Sequence, residues 1–184
     1  MKSKAKRRKL TVKRAAAPKK KVRPVPAGYS AVTPYLALRG AAQAIEFYKK
    51  AFGAKEIMRM PGPEGKIGHA EVQIGDARVM LADEFEAMGF LGPQTRGGST
   101  VQLYLYVKDV DATFARAIAA GAKLVRAVED QFYGDRSGSI EDPFGHLWHV
   151  STRKEELTMA EVKRRAEKMA KRGQPPAQGE NQPG

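Results

Sequence analysis

The chain of 184 residues contains no cysteine. That excludes disulfide staples, thiolate nucleophiles and Cys-ligated zinc together. No run approaches the ~18 apolar residues of a membrane span, and no apolar stretch follows the basic start as a secretory signal would require. The expectation is a cytoplasmic protein without membrane contact. The loops GxxxxGK[ST], GxSxG and GxGxxG are missing, which removes the usual phosphate cradle, the serine nucleophile elbow and the dinucleotide fingerprint. Acids are missing from the most basic region. Residues 1–24 carry twelve of the 33 Lys and Arg residues and no Asp or Glu, whereas residues 25–154 hold fifteen of each sign. The net charge of +13 therefore belongs to an arm, and the body is neutral.

What is present divides accordingly. Residues 1–28, rich in Lys, Arg, Ala and Pro, have almost nothing to bury and are expected to be disordered. Residues 1–24 suit weak contact with nucleic acid or another polyanion through counterion release, without base readout; they equally suit a solubilising tail. At the other end, residues 158–173 read as a helix. Thr158 stands as N-cap with Glu161 three residues on. Met159, Val162, Ala166 and Met169 fall on one stripe, and Gly173 stops it. The expectation is a helix packed on the domain, followed by a disordered tail over 174–184.

The body, residues 29–157, repeats one pattern. "AVTPYLAL" is strand-like. "AAQAIEFYKKAFG" places Ala44, Phe47, Tyr48 and Ala51 on a helical stripe and ends at Gly53. "AKEIMRM" is a strand, "PGPEG" a turn, and "KIGHAEVQI" with "ARVMLA" a hairpin about Gly75-Asp76. The same order returns in "TVQLYLYV", "DVDATFARAIAAG", "AKLVRAVE", "QFYGDRSGSIE" and "HLWHVST". Gly53-Ala54-Lys55 and Gly121-Ala122-Lys123, 68 residues apart, each close a helix and open a strand. The reading is two copies of a β-α-β-β-β unit, over about 31–95 and 99–152, giving an α+β fold. Each open sheet has one face for its helix and one left over, and two such sheets side by side would enclose a cup.

The paired order, "AIEFYKKAFGA" after the first strand and "YGDRSGSIEDPFGHLWHV" near the end resemble the vicinal oxygen chelate superfamily of glyoxalases, bleomycin-resistance proteins and dioxygenases, in its metal-poor glyoxalase-like branch. The resemblance covers about residues 31–157. It implies the cupped mixed sheet of the glyoxalase/bleomycin-resistance fold and a homodimer. It also implies a four-ligand metal position, onto which Thr33, Leu81, Gln102 and His149 fall. Gln102 and His149 are acceptable donors, Thr33 is a poor one, and Leu81 is none. Asp83 would restore a carboxylate only after a shift of register. Divalent ions in such sites want three or four N/O donors, so no resident metal or other cofactor is expected.

Strand alternation separates the residues of "GHLWHV". Trp148 shares a face with His146 and Val150, and His149 takes the opposite face, so the two histidines are no chelating pair. Trp148 reads as core and His146 as a partly exposed residue after the turn. His149 opposite Gln102 is either a ligand contact, with His149 as candidate catalytic base, or two polar groups satisfying each other. Tyr104 and Tyr106 follow Gln102 on its face, and Tyr35 takes the corresponding place in the first unit. Tyr133 and Arg136 lie beside Asp135 in a Gly-bounded bend, where Arg136 could grip a carboxylate or phosphate or merely stabilise the turn. The candidate ligand-binding set is thus Tyr35, Gln102, Tyr104, Tyr133, Arg136 and His149. The reading adopted is a metal-independent small-molecule binder. Its alternatives are a metal-dependent lyase, isomerase or dioxygenase, and a nucleic-acid-associated protein using its arm.

Overall fold

The computed structural model describes residues 22–171; the expected disorder of most of the arm and of 174–184, and the stop at Gly173, lie outside them. Strand β1 (Tyr35–Leu38) leads into helix α1 (Ala41–Phe52), followed by β2 (Lys55–Pro61), β3 (Ile67–Ile74) and β4 (Ala77–Asp83). A short helix α2 (Pro93–Arg96) precedes the second unit. That unit runs β5 (Gln102–Tyr106), α3 (Val110–Ala119), β6 (Lys123–Asp130), β7 (Asp135–Glu141) and β8 (Leu147–Arg153), and α4 (Met159–Lys171) ends the described chain. The strands make two sheets of identical topology, β1-β4-β3-β2 and β5-β8-β7-β6. In each, the first strand runs parallel to the last and the other pairings are antiparallel. The duplicated α+β plan is therefore observed directly.

One core serves both units. On α1, Ala44, Phe47, Tyr48 and Ala51 are buried as their spacing requires, and Ile45 and Phe52 join them. Helices α1 and α3 pack against each other. Trp148 of β8 crosses to the first unit, its ring centroid 4.7 Å from Phe52 and 5.5 Å from Tyr48. Asp142, in the turn between β7 and β8, is fully buried. Its Oδ2 accepts the Tyr48 hydroxyl at 2.8 Å and the Trp148 indole N–H at 2.9 Å. Its Oδ1 accepts the backbone N–H of Phe144 at 3.0 Å and of His146 at 2.9 Å. A buried carboxylate needs such partners to remain in the core, and here they come from both units.

His146 differs from its expectation. It is buried, and its Nε2–H donates to the carbonyl of Ala37 at 3.2 Å. The turn folds inward onto β1, so a residue after a turn is not exposed here. One element boundary moves. Residues 131–134 form a turn rather than the start of β7, closed by the Gln131 N–H on the Asp135 carbonyl at 2.6 Å. Gly138, in the middle of β7, is required by close approach: a Cβ there would lie 2.7 Å from the ring of Phe114 on α3.

Helix α4 begins as expected, with Thr158 Oγ1 accepting the Glu161 N–H at 3.2 Å. It does not pack as expected, since none of its residues is buried. Arg165 holds it to the preceding segment through Glu155 at 2.8 Å. No helix among the described residues is long and apolar enough to cross a membrane.

Candidate functional site

Alternation assigns each strand residue to the helix face of its sheet or to the outer face. In the second sheet Ile140, Trp148 and Val150 enter the core, with Leu103 and Leu105 packed against it. Gln102, Tyr104, Tyr106, Ser137, Ser139, His149 and Ser151 thereby take the outer face. Tyr104 lies opposite His149, and Ser139 opposite His149 from the other side. Tyr104 and His149 stack with centroids 5.7 Å apart, and Tyr106 lies 5.1 Å from Tyr104. Tyr104 and Tyr106 remain 48% and 61% exposed, so this aromatic surface is open.

The hydrogen bonds set the state of His149. Gln102 presents Oε1 to His149 Nε2, so Nε2 carries the proton and donates. Nδ1 then accepts from the Ser139 hydroxyl at 2.7 Å. In this tautomer the one lone pair of the neutral ring faces the Ser139 hydroxyl. Burial first, and the nearby Arg126 guanidinium second, hold its pKa below the ordinary imidazole value. The folded chain therefore takes up this proton at lower pH than the unfolded chain. The contribution to stability is complete above a pH of about 6.5 and is lost as pH falls into the window below it. Urea midpoints at pH 7.5 and 5.5 check this: the drop should be smaller in His149→Gln than in the parent, and equal drops would refute it.

Beneath the tyrosines, Asp135 is 1% exposed. It accepts from the Tyr106 hydroxyl at 2.9 Å, the Ser151 hydroxyl at 3.1 Å and Arg153 at 2.9 Å. Burial, then the bond to Asp135, pushes the Tyr106 hydroxyl up; burial does the same, more strongly, at Tyr104. Both act as neutral donors at neutral pH. Tyr133 joins the same face through its hydroxyl, 3.4 Å from Ser137 Oγ.

Two candidates do not join this cluster. Arg136 alternates to the other face from Asp135. There it makes a fork to Asp111, at 2.8 and 2.7 Å, and reaches Asp130 at 3.2 Å. It forms an ion-pair network at the start of α3, on the opposite face from the cluster. Tyr35 stays with the first sheet. Its hydroxyl meets His69 Nδ1 at 3.0 Å, its ring packs 4.9 Å from Phe90, and it lines a cleft of about 410 Å³ near α2. The candidate residues thus form two clusters, one on each sheet.

The first sheet's cluster is capped by the chain itself. Tyr29 donates to Glu71 at 2.6 Å and lies beneath the Arg78 guanidinium, 4.8 Å from its ring centroid. Arg78 pairs with Glu71 at 2.7 Å, and His69 Nε2 lies 3.3 Å from it. Burial alone would raise the Glu71 carboxyl, but hydrogen bonds from Tyr29, Arg78 and His69 outweigh it and hold the group low.

The residues present do not fit the implied metal. Leu81 points into the core with no exposure, and the outer-face residue of β4 paired with Tyr35 is Met80. Thr33 donates to the Ser30 carbonyl at 3.2 Å. Asp83 caps α1: Oδ1 accepts from Gly40 and Ala41, both at 2.9 Å, and Oδ2 from Ile67 at 2.7 Å. No group of three His, Asp or Glu side chains with metal-binding geometry occurs among the described residues. His149 and Gln102, already bonded to each other, are the only two of the four ligand positions to bring a good donor.

Sequence reasoning missed Arg126, Ser137 and Ser139 on this face. The serines were available from the alternation of "DRSGSIE". Arg126 was not, because β6 shifts register twice, between Leu124 and Arg126 and between Arg126 and Glu129.

Two βαβββ units joined through one core define a glyoxalase-type fold. The Glyoxalase/Bleomycin resistance protein/Dioxygenase superfamily profile matches residues 34–150, and the chain belongs to that superfamily. It is 46% identical over 135 residues to the uncharacterized protein Rv0887c of Mycobacterium tuberculosis, a match spanning 72% of this chain and 79% of that one. Among solved structures, TioX from Micromonospora sp. ML1 is similar with a TM-score of 0.54 and 29% identity, over 70% of this chain and all of that one. The fosfomycin resistance protein FosX of Listeria monocytogenes has a TM-score of 0.55 at 15% identity, over 72% and 97% of the two chains, and shares the fold.

Proposed function

We propose that this protein binds a small organic molecule on the outer face of the second sheet, without a metal ion, and works as a cytoplasmic homodimer. The observation that carries the reading is the open Tyr104–His149 stack, bordered by the polar groups of Gln102 and Tyr133. An apolar surface with a few fixed polar handles is what small-molecule sites offer. Catalysis is not part of the proposal. A second copy laid over the sheet would complete a cavity above the exposed Tyr104 and Tyr106.

A thermal-shift screen of small aromatic and aliphatic compounds tests this. Hits should raise the melting temperature of the parent, as ligands bound only by the folded state must, and lose that effect in Tyr104→Ala and His149→Ala. Hits indifferent to both substitutions would place binding elsewhere. Elemental analysis after dialysis against Ni, Zn, Mn and Fe should find no stoichiometric metal. Metal near one per chain, lost in His149→Ala, would restore the lyase or dioxygenase reading. Light scattering should give twice the chain mass. The arm supports a second, weaker role in polyanion contact: a gel shift with nucleic acid should vanish on deletion of residues 1–24, and one that survives would exclude the arm.

A further inference from the structure

The cations of the second sheet are balanced with one exception. Lys123 faces Glu141 at 3.1 Å, Arg136 faces Asp111 at 2.7 Å and Arg153 faces Asp135 at 2.9 Å. Arg126 faces no carboxylate among the described residues. Its Nη2 donates to Ser137 Oγ at 3.1 Å, which sets the guanidinium on the outer face, one strand from His149. Its Nη1 is closed off from solvent and has no hydrogen-bond acceptor. A partly buried guanidinium with an orphaned amino group is costly unless an acceptor, preferably an anion, arrives.

The surroundings leave that charge unshared. His149 is neutral and donates to Gln102. Asp135, on β7's outer face, is already committed to Arg153, Tyr106 and Ser151, and Glu129, which pairs with Ser137 across β6 and β7, makes no ion pair with Arg126. The face therefore combines one uncompensated, planar cation with an aromatic platform. A guanidinium offers two parallel N–H donors, the pattern that a carboxylate or phosphonate accepts.

We propose that the molecule bound here is a small organic oxyanion, its charged group paired with Arg126 and its body laid on Tyr104 and His149. This rests on the reading that the outer face of the second sheet is the binding face. It adds the charge of the ligand and the residue that selects it. Entry requires Arg126 to release Ser137 and turn Nη1 toward the ligand, exchanging a bond to a neutral hydroxyl for a paired contact with an anion.

The test uses the full chain and three probes of one shape: phenylphosphonate, benzoate and neutral benzamide. Binding is read by titration of the His149 imidazole resonances, which separates this face from the basic arm. Phenylphosphonate and benzoate should bind and benzamide should not. Arg126→Gln should weaken both anions by about 10–100-fold, the range for a lost charge-assisted bond. Arg126→Lys, which keeps the charge but not the fork, should lose less and confirms that the fold survives substitution. Benzamide binding as well as benzoate, with Arg126→Gln unaltered, would overturn the oxyanion proposal and leave the binding face intact. Failure of all three probes to move the His149 resonances would overturn the binding face as well.

Discussion

Replacing Asp142 with alanine is expected to lower stability by about 2–5 kcal/mol, because several buried donors lose their acceptor at once. Two of these are side chains with no alternative partner, the Tyr48 hydroxyl and the Trp148 indole. The other two are backbone N–H groups that shape the turn. For a chain of this size the melting temperature should fall by roughly 5–20 °C. Asp142→Asn keeps the volume and one oxygen, yet turns an NH2 group toward donors, so it should recover only part of the loss. Trp148 is the only tryptophan, and its emission reports on this site directly. A red shift in Asp142→Ala, with the tryptophan newly wet, is expected. Unchanged melting and emission would show that the carboxylate is not the keystone described.

The second large effect is expected at Asp135. Alanine there removes the acceptor of Ser151, which has no exposure, and of Tyr106, which can turn to water instead. The loss should be about 2–3 kcal/mol, mostly from the buried hydroxyl. It should also blunt ligand binding, since Asp135 anchors Tyr106 against Tyr104 from below. Asp135→Asn retains an acceptor for both hydroxyls and gives up only the pairing with a half-exposed arginine, so it should stay within about 1 kcal/mol of the parent. Equal losses in the two variants would mean that charge, not the hydrogen bonds, holds this floor together.

These two aspartates show what sequence reasoning reaches. The duplicated β-α-β-β-β plan was legible because period-2 and period-3.6 patterns are local, and because the Gly-Ala-Lys junction repeats. Alternation separated the faces of Trp148 and His149, and the family resemblance said which of them turns inward. Asp142 was hidden in "DPFG", which reads as an ordinary turn; nothing local says that the turn folds inward to meet Tyr48, 94 residues away. His146 was misjudged for the same reason. Arg136 was the attractive arginine because it sits in a Gly-bounded bend, but a one-residue step along β7 sends it to Asp111. Arg126 was the overlooked one because two register shifts hide its face. Tyr29 lay in a segment without period, and only the fold shows that it reaches back to Glu71.

The pairing of α1 with α3 bears on how such a chain could be divided. Its two halves descend visibly from one pattern, yet neither is now a unit in its own right. Cut at the loop around Gly97, each piece would expose the apolar flank of its helix, and the first would leave Tyr48 without a mate. Pieces made separately should remain poorly folded apart and recover their shape on mixing, in the manner of a split reporter. Ancestry in this protein is modular, while its cooperativity is not.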